Sequence, residues 1–189
     1  MYGQSFMCIE LPPSQLFAIA GLMSINFPNV YASRIVTSNA NITALVNKSW
    51  VKGKTNTISL GNGFYYLCKS AAAKIELWED LVCPYFGVGF EVQSWGKPYM
   101  ASDCTPTYNY DAINVQDEKV GSTTWAGSDD HSKWGVSLSG TITCVGDINR
   151  MTSQASRGGG TLCFDNSSLH SLFKSIVTKT DSCSSEALE

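Results

Sequence analysis

The sequence predicts a mixed α/β (α+β) domain, because strand-like runs and helical patterns share one chain. Ser167 to Lys179 sets Leu169, Leu172, Phe173, Ile176 and Val177 at i, i+3, i+4, i+7 and i+8, one apolar helical stripe. Thr57 to Leu60 and Phe64 to Cys68 read as strands, split by the turn Gly61-Asn62-Gly63. The chain has 189 residues, 43% hydrophobic and 15% charged, which suits one packed core and excludes a disordered chain. Residues 1–189 are therefore read as a single domain, a mixed β-sheet flanked by helices.

The remaining elements follow in order. Pro12-Pro13-Ser14 opens a helix carrying Leu16, Phe17, Ala20 and Met23, which should stop before Pro28. Trp78 to Tyr85 predicts a short helix, Phe90 to Trp95 an alternating strand, and Ala112 to Gln116 another short strand. Residues 121–130 are polar and turn-rich. Thr141 to Val145 reads as a strand, and Gly158-Gly159-Gly160 as a turn or loop. Residues 165–167 can cap the last helix, and Lys174 and Lys179 suit its C-terminal end. No apolar run approaches the roughly 20 residues of a membrane helix.

The formal charge of −3 argues against a basic-tailed nucleic-acid binder at neutral pH. Below the sequence pI of about 5.4 the chain becomes net positive. Seven cysteines without a CxxC spacing argue against zinc and for a disulfide framework in an oxidising compartment. Seven is odd, so at least one lacks a partner within the chain. The N-terminus has neither the basic nor the apolar region of a secretory signal, so the chain is expected to be a fragment of a longer protein. Three sequons, at Asn41, Asn47 and Asn166, lend weak support to a secretory route.

There are two histidines. His170 lies within the last helix beside its apolar stripe, where a structural role is expected. His131 stands in Asp130-His131-Ser132-Lys133-Trp134. On an extended strand i and i+2 share a face, which puts the imidazole beside the Lys133 ammonium. A nearby cation favours the neutral, nucleophilic imidazole, and the lysine can hold a phosphate oxygen. An isolated HxK is common on surface strands. Further on come Gly146-Asp147-Ile148-Asn149-Arg150 and Arg157-Gly158-Gly159-Gly160. Asn149 offers amide donors and acceptors, and Arg150 and Arg157 could clamp a phosphate. The glycines could admit a bulky ligand to backbone N–H groups, or simply form the turn of a hairpin closed by Cys144 and Cys163.

Together DHSKW, TCVGDINR and RGGGTLC, in this order, resemble the C-terminal half of the deoxyribonuclease II family. So do the opening YGQSFMCIELP and the later FPNVY. The resemblance runs from Tyr2 to Cys183 and is thin from about Ser33 to Gln93. It implies a phospholipase D-like half-domain. Two similar halves would each bring an HxK to one active site, one histidine attacking phosphorus and the other protonating the leaving oxygen. It implies hydrolysis of DNA to 3′-phosphate products at acid pH, with no metal or cofactor, in a lysosomal or secreted setting. His131 and Lys133 are the catalytic candidates, with Asn149 matching the polar residue of a GSxN motif in which Asp147 replaces serine. Asp147, Arg150 and Arg157 are the substrate-binding candidates. The resemblance also pairs Cys144 with Cys163 and Cys104 with Cys183, and Cys8 with a cysteine of the other half. Cys68 and Cys83 remain, as a third conceivable pair.

The N-terminal half and its HxK are absent from this sequence, and Gly135 stands where relatives often carry cysteine. A single half-site lacks one of two proton-handling groups, a loss on the order of 10²-fold or more in rate. The expected partners are DNA and either the missing half or a second copy of the chain, with no membrane. The alternatives are an inactive relative that binds DNA or a host protein, and a small secreted structural domain with a coincidental HxK.

Overall fold

Helix α1 (Pro13–Asn26) begins as its sequence demands, with proline in the first turn, where no N–H donor is lost. It ends one residue before Pro28, at Phe27, whose φ of 59° is left-handed. In this computed structural model residues 4–34, 37–51, 55–95, 100–102 and 109–182 are described. Helix α2 (Ala40–Val46) is capped by the Asn39 side chain, which accepts from the N–H groups of Asn41 and Ile42. The Asn41 amide donates to Phe17 O at 3.0 Å, joining α2 to α1. Of the other sequons, Asn166 caps the last helix and Asn47 is exposed.

Strands β1 (Thr55–Gly61) and β2 (Phe64–Lys69) form the expected hairpin. Its turn is left-handed at Gly61, Asn62 and Gly63, which is why glycine and asparagine occupy it. A π-helical turn (Trp78–Val82) runs into α3 (Cys83–Phe86), closed by Gly87 at φ 66°. Then come β3 (Phe90–Ser94), β4 (Ala112–Val120), β5 (Thr123–Ala126), β6 (Lys133–Ser137), β7 (Ile142–Gly146) and β8 (Gly159–Asp165). Helix α4 (Ser167–Ile176) and β9 (Val177–Thr180) complete the described chain. The sheet order is β1-β2-β8-β7-β6-β3-β4-β5, with β9 added to β4. Among the described residues only β3 and β4 pair in parallel, and no helix is long and apolar enough to cross a membrane.

Because strand neighbours alternate faces, Leu67 and Cys68 enter different cores. On one face Leu67, Phe90, Val92, Cys144 and Cys163 pack against Leu77, Trp78, Val82 and Cys83. On the other, Leu22 and Ile25 of α1 meet Cys68, while Phe173 and Ile176 of α4 meet Trp134, Val136 and Val115. Gly135, between Trp134 and Val136, faces the first core; a Cβ there would lie 2.6 Å from the Trp78 ring. Glycine at this position makes room for that indole.

Four sequence expectations are corrected. The last helix stops at Ile176, where the β-branched Val177, Thr178 and Thr180 join the β4 edge instead. Leu172, assigned to the apolar stripe, is 65% exposed. The glycine run is no hairpin turn: Gly159 and Gly160 lie inside β8, paired with Lys69 and Cys68. Cys68 and Cys83 do not pair, since they sit on opposite sheet faces; their thiols donate to Leu22 O and Asp111 O. The Cys144–Cys163 disulfide is present, between register partners of β7 and β8. Cys104 and Cys183 lie outside the described residues.

The glycines admit neighbouring protein atoms. A Cβ on Gly158 would lie 2.0 Å from Asn26 O, and one on Gly160 2.7 Å from Leu67 O. Backbone cannot move aside as a side-chain tip can. Gly158→Ala therefore lowers unfolding free energy by about 1–3 kcal/mol. Gly146→Ala, whose Cβ would have its closest contact at 3.4 Å, costs distinctly less. Chemical denaturation of the two variants checks this, and equal costs would refute it.

Candidate active site

The antiparallel registers bring five strand ends to one rim of the sheet. These are the ends of β2, β3 and β7 and the starts of β6 and β8. Lys133 opens β6, opposite Ser94 at the end of β3, and His131 precedes it by two residues. The segment before β6 is gripped from several sides. Asp130 accepts from Ser132 N at 2.8 Å and from Ser132 Oγ at 2.6 Å. The Gln93 amide donates to Gly127 O at 2.8 Å and to Asp130 O at 3.2 Å. A Cβ on Gly127 would come within 2.7 Å of Gln93 Oε1, so the bend needs glycine. The Trp95 indole lies over the His131 ring, centroids 4.3 Å apart and tilted by 48°.

The Lys133 ammonium donates to the His131 carbonyl oxygen, holding the histidine backbone. Its pKa is lowered, chiefly by burial, against the opposing pull of Asp130 and Asp147. Asp147, just past β7, exchanges two bonds with β8: its N–H donates to Gly160 O at 3.2 Å, and its Oδ1 accepts from Gly160 N at 2.8 Å. Surrounding protein raises the Asp147 carboxyl to about 6, while Lys69 and Lys133 pull it down. The residue's outer edge is exposed, which tempers the desolvation. Asn149 donates weakly to Met151 Sδ, and its Oδ1 is buried with no hydrogen-bond donor. Burial raises the Tyr66 pKa, against the opposing effect of the Asn26 amide, which donates to its hydroxyl at 2.7 Å.

The cations divide by employment. Arg150, expected to bind substrate, is 1% exposed and paired with Glu79. Its guanidinium also donates to Met100 O, Ala101 O and Asn114 Oδ1 at 2.9–3.0 Å, so it acts as a core strut. Lys69 spends all three of its donors on Gln154 O, Ala155 O and Arg157 O, fixing the approach to β8. Arg157 is exposed at the end of that same segment. The structure thus brings His131, Lys133, Asp147 and Asn149 to one rim, with Arg157 on the segment entering it, and withdraws Arg150 into the interior. His170 has the structural role expected: its Nε2 lies 2.9 Å from Ser137 O, tying α4 to β6.

Sequence reasoning passed over Gln93 and Glu118 and left the aromatics near Trp95 as core or groove; Gln93 and Trp95 hold the His131 segment. Glu118 is fully buried and accepts a bond from Trp125. The alternating pattern sets Gln93 on the same face as Glu91, opposite Phe90 and Val92, and so did not mark it as buried. Nothing in sequence could have aimed Trp95 at His131.

The fold is that of an α+β protein, and one rim of its sheet carries His131, Lys133, Asp147 and Asn149. The sequence profile of Deoxyribonuclease II matches residues 1–183. Deoxyribonuclease-2 of Caenorhabditis elegans is 34% identical, over 95% of this chain and 51% of its own length. Plancitoxin-1 of Acanthaster planci is 29% identical, over 96% and 54%, and Deoxyribonuclease-2-alpha of Rattus norvegicus 27%, over 96% and 56%. The chain belongs to the deoxyribonuclease II family, and it spans about half the length of these relatives.

Proposed function

We propose that this chain forms the C-terminal half-site of an acid endonuclease that cleaves DNA without a metal. The observation that carries it is His131, held by its carbonyl to Lys133 and by its ring to Trp95, on the rim that also bears Asp147 and Asn149. His131 is one of two reacting histidines; the other comes from an N-terminal half or from a second copy. One histidine attacks phosphorus, forming a P–N bond as the P–O5′ bond breaks. The other gives its proton to the departing O5′. Water then attacks phosphorus, restoring the histidine and leaving a 3′-phosphate. Lys133 steadies the phosphoryl oxygens, and Asn149 and Arg157 orient the strand.

Acid favours this arrangement in two ways. The whole chain becomes net positive below about pH 5.4, which strengthens phosphate contacts. Asp147 takes a proton as pH falls through about 6, leaving Lys133 one less carboxylate to answer. Lysosomal or secreted localisation follows from family likeness.

The test is plasmid nicking at about pH 5 with chelator present, using the chain alone and the chain supplied with the N-terminal half of a relative. His131→Ala is expected to lower the rate on the order of 10²-fold or more. Unchanged nicking by the variant would refute the role, and a metal requirement would refute the chemistry. DNA binding without nicking by the wild type would identify an inactive relative. Cleavage by a chain that is monomeric and lacks the other half would refute the two-histidine scheme.

A further inference from the structure

Glu118, near the end of β4, is fully buried, and Asp130, beside His131, is 8% exposed. The two carboxyl groups are in hydrogen-bonding contact. Trp125 Nε1 donates to Glu118 Oε2. Ser132 fills Asp130 with two donors, from its N–H and its hydroxyl. That leaves Glu118 Oε1, buried and without a donor. Two carboxylates in contact in the interior cannot both stay charged. One proton resolves the arrangement, and it belongs on Glu118: Asp130 has two donors and the Lys133 charge nearby, Glu118 only one donor.

We infer that Glu118 is a neutral acid donating to the Asp130 carboxylate, and that this pair is a positioning device for His131. The connection is short. Asp130 and Ser132 flank the histidine, and the Asp130–Ser132 bonds close a tight turn around it. Gln93 pins the Asp130 carbonyl from the opposite side. Glu118 anchors the turn to β4, and thereby to the sheet. Removing the shared proton sets two negative charges against each other and loosens the turn, carrying the imidazole off Trp95.

No other described charge competes for this proton. Asp117 and Lys119 alternate to the other face of β4, and Asp117 has Lys179 at 4.0 Å. Strand β9 sets Val177 opposite Glu118. On neighbouring elements Lys174 is paired with Glu91, and Lys133 acts on Asp130 and Asp147. Burial is the largest influence on Glu118, Asp130 the next, and both raise its pKa, to about 8.

The proposal rests on reading His131 as the reactive imidazole, so its test reads orientation and not cleavage. In the full chain, labelled with ¹³C in glutamate side chains and ¹⁵N in histidine, NMR follows both groups from about pH 5 to about pH 9. Glu118 is expected to be protonated at pH 6 and to titrate above it, with a step in the His131 ring resonances at the same pH. Glu118→Gln, a neutral donor of the same shape, keeps the His131 resonances in place at pH 6 and loses the alkaline step. Glu118→Ala displaces them throughout. An ionised Glu118 at pH 6 overturns the proposal. So does a Glu118→Gln variant that retains the step or moves His131 at pH 6. Loss of the DNA-cleaving reading alone would leave these resonances unchanged.

Discussion

Arg150→Met lowers the unfolding free energy by about 3–5 kcal/mol at neutral pH. Arg150 and Glu79 are 1% and 2% exposed and form an ion pair. The substitution strands a buried carboxylate and leaves Met100 O, Ala101 O and Asn114 Oδ1 without their donor. Breaking one side of such a pair costs far more than the pair is worth, because the remaining charge stays desolvated. The double variant Glu79→Gln/Arg150→Met should recover part of the loss, since the Glu79 charge is removed along with its partner. Urea denaturation of the two proteins measures the difference. A loss below about 1 kcal/mol would show that Arg150 is not the strut described.

Folding stability falls as pH rises from about 5 to about 8.5. Burial raises Glu76 to about 7 and Glu118 to about 8, against ordinary values of 4.5. For Glu76 the Arg150 charge opposes the shift, and for Glu118 Asp130 adds to it. A carboxyl whose folded pKa lies above its unfolded one binds more protons when folded. Its contribution is complete below about 4.5 and is lost as pH climbs through the folded value. Asp147 adds a smaller part, lost by about pH 6, since its edge meets solvent. Asp181, lowered by its bonds from Ser102, Asn114 and Gln116, acts in the opposite sense, but only at lower pH. The net loss is on the order of several kcal/mol, a fall in Tm on the order of 10 °C. Thermal melts across this range should show it, and Glu76→Gln with Glu118→Gln should flatten the profile. A profile flat or rising towards pH 8.5 in the wild type would contradict the account.

How much of this was readable in the sequence depended on how local its cause was. Proline at the start of α1 and the Gly-Asn-Gly turn of the β1–β2 hairpin are settled by neighbouring residues, and both were legible. Strand β5 was hidden in a polar stretch, Thr123 to Ala126, because its pairing with β4 decides it. The end of α4 was misplaced for the same reason: the helical stripe continues to Val177, but the free edge of β4 takes the chain. At the rim, motif order grouped His131, Lys133, Asp147 and Asn149, and the strand registers set them at neighbouring strand ends. Arg150 looked like a ligand clamp because sequence shows a charge and not the Glu79 that answers it from 71 positions away. The three glycines likewise looked like ligand access. Their actual neighbours, Asn26, Ile148 and Leu67, come from three separate parts of the chain.

The pairing of β2 with β8 has a consequence for how the chain matures. Phe64 meets Phe164 across that ladder, a hundred positions later in synthesis. Until the ribosome has delivered β8, the β1–β2 hairpin has an open edge and α1 has no complete sheet to rest on. Such an edge invites pairing with other chains, and non-local strand pairing is intrinsically slow. The Cys144–Cys163 bond joins β7 to the same late strand, so oxidation cannot precede its arrival. The rim that carries His131 therefore cannot close before β8 has been made.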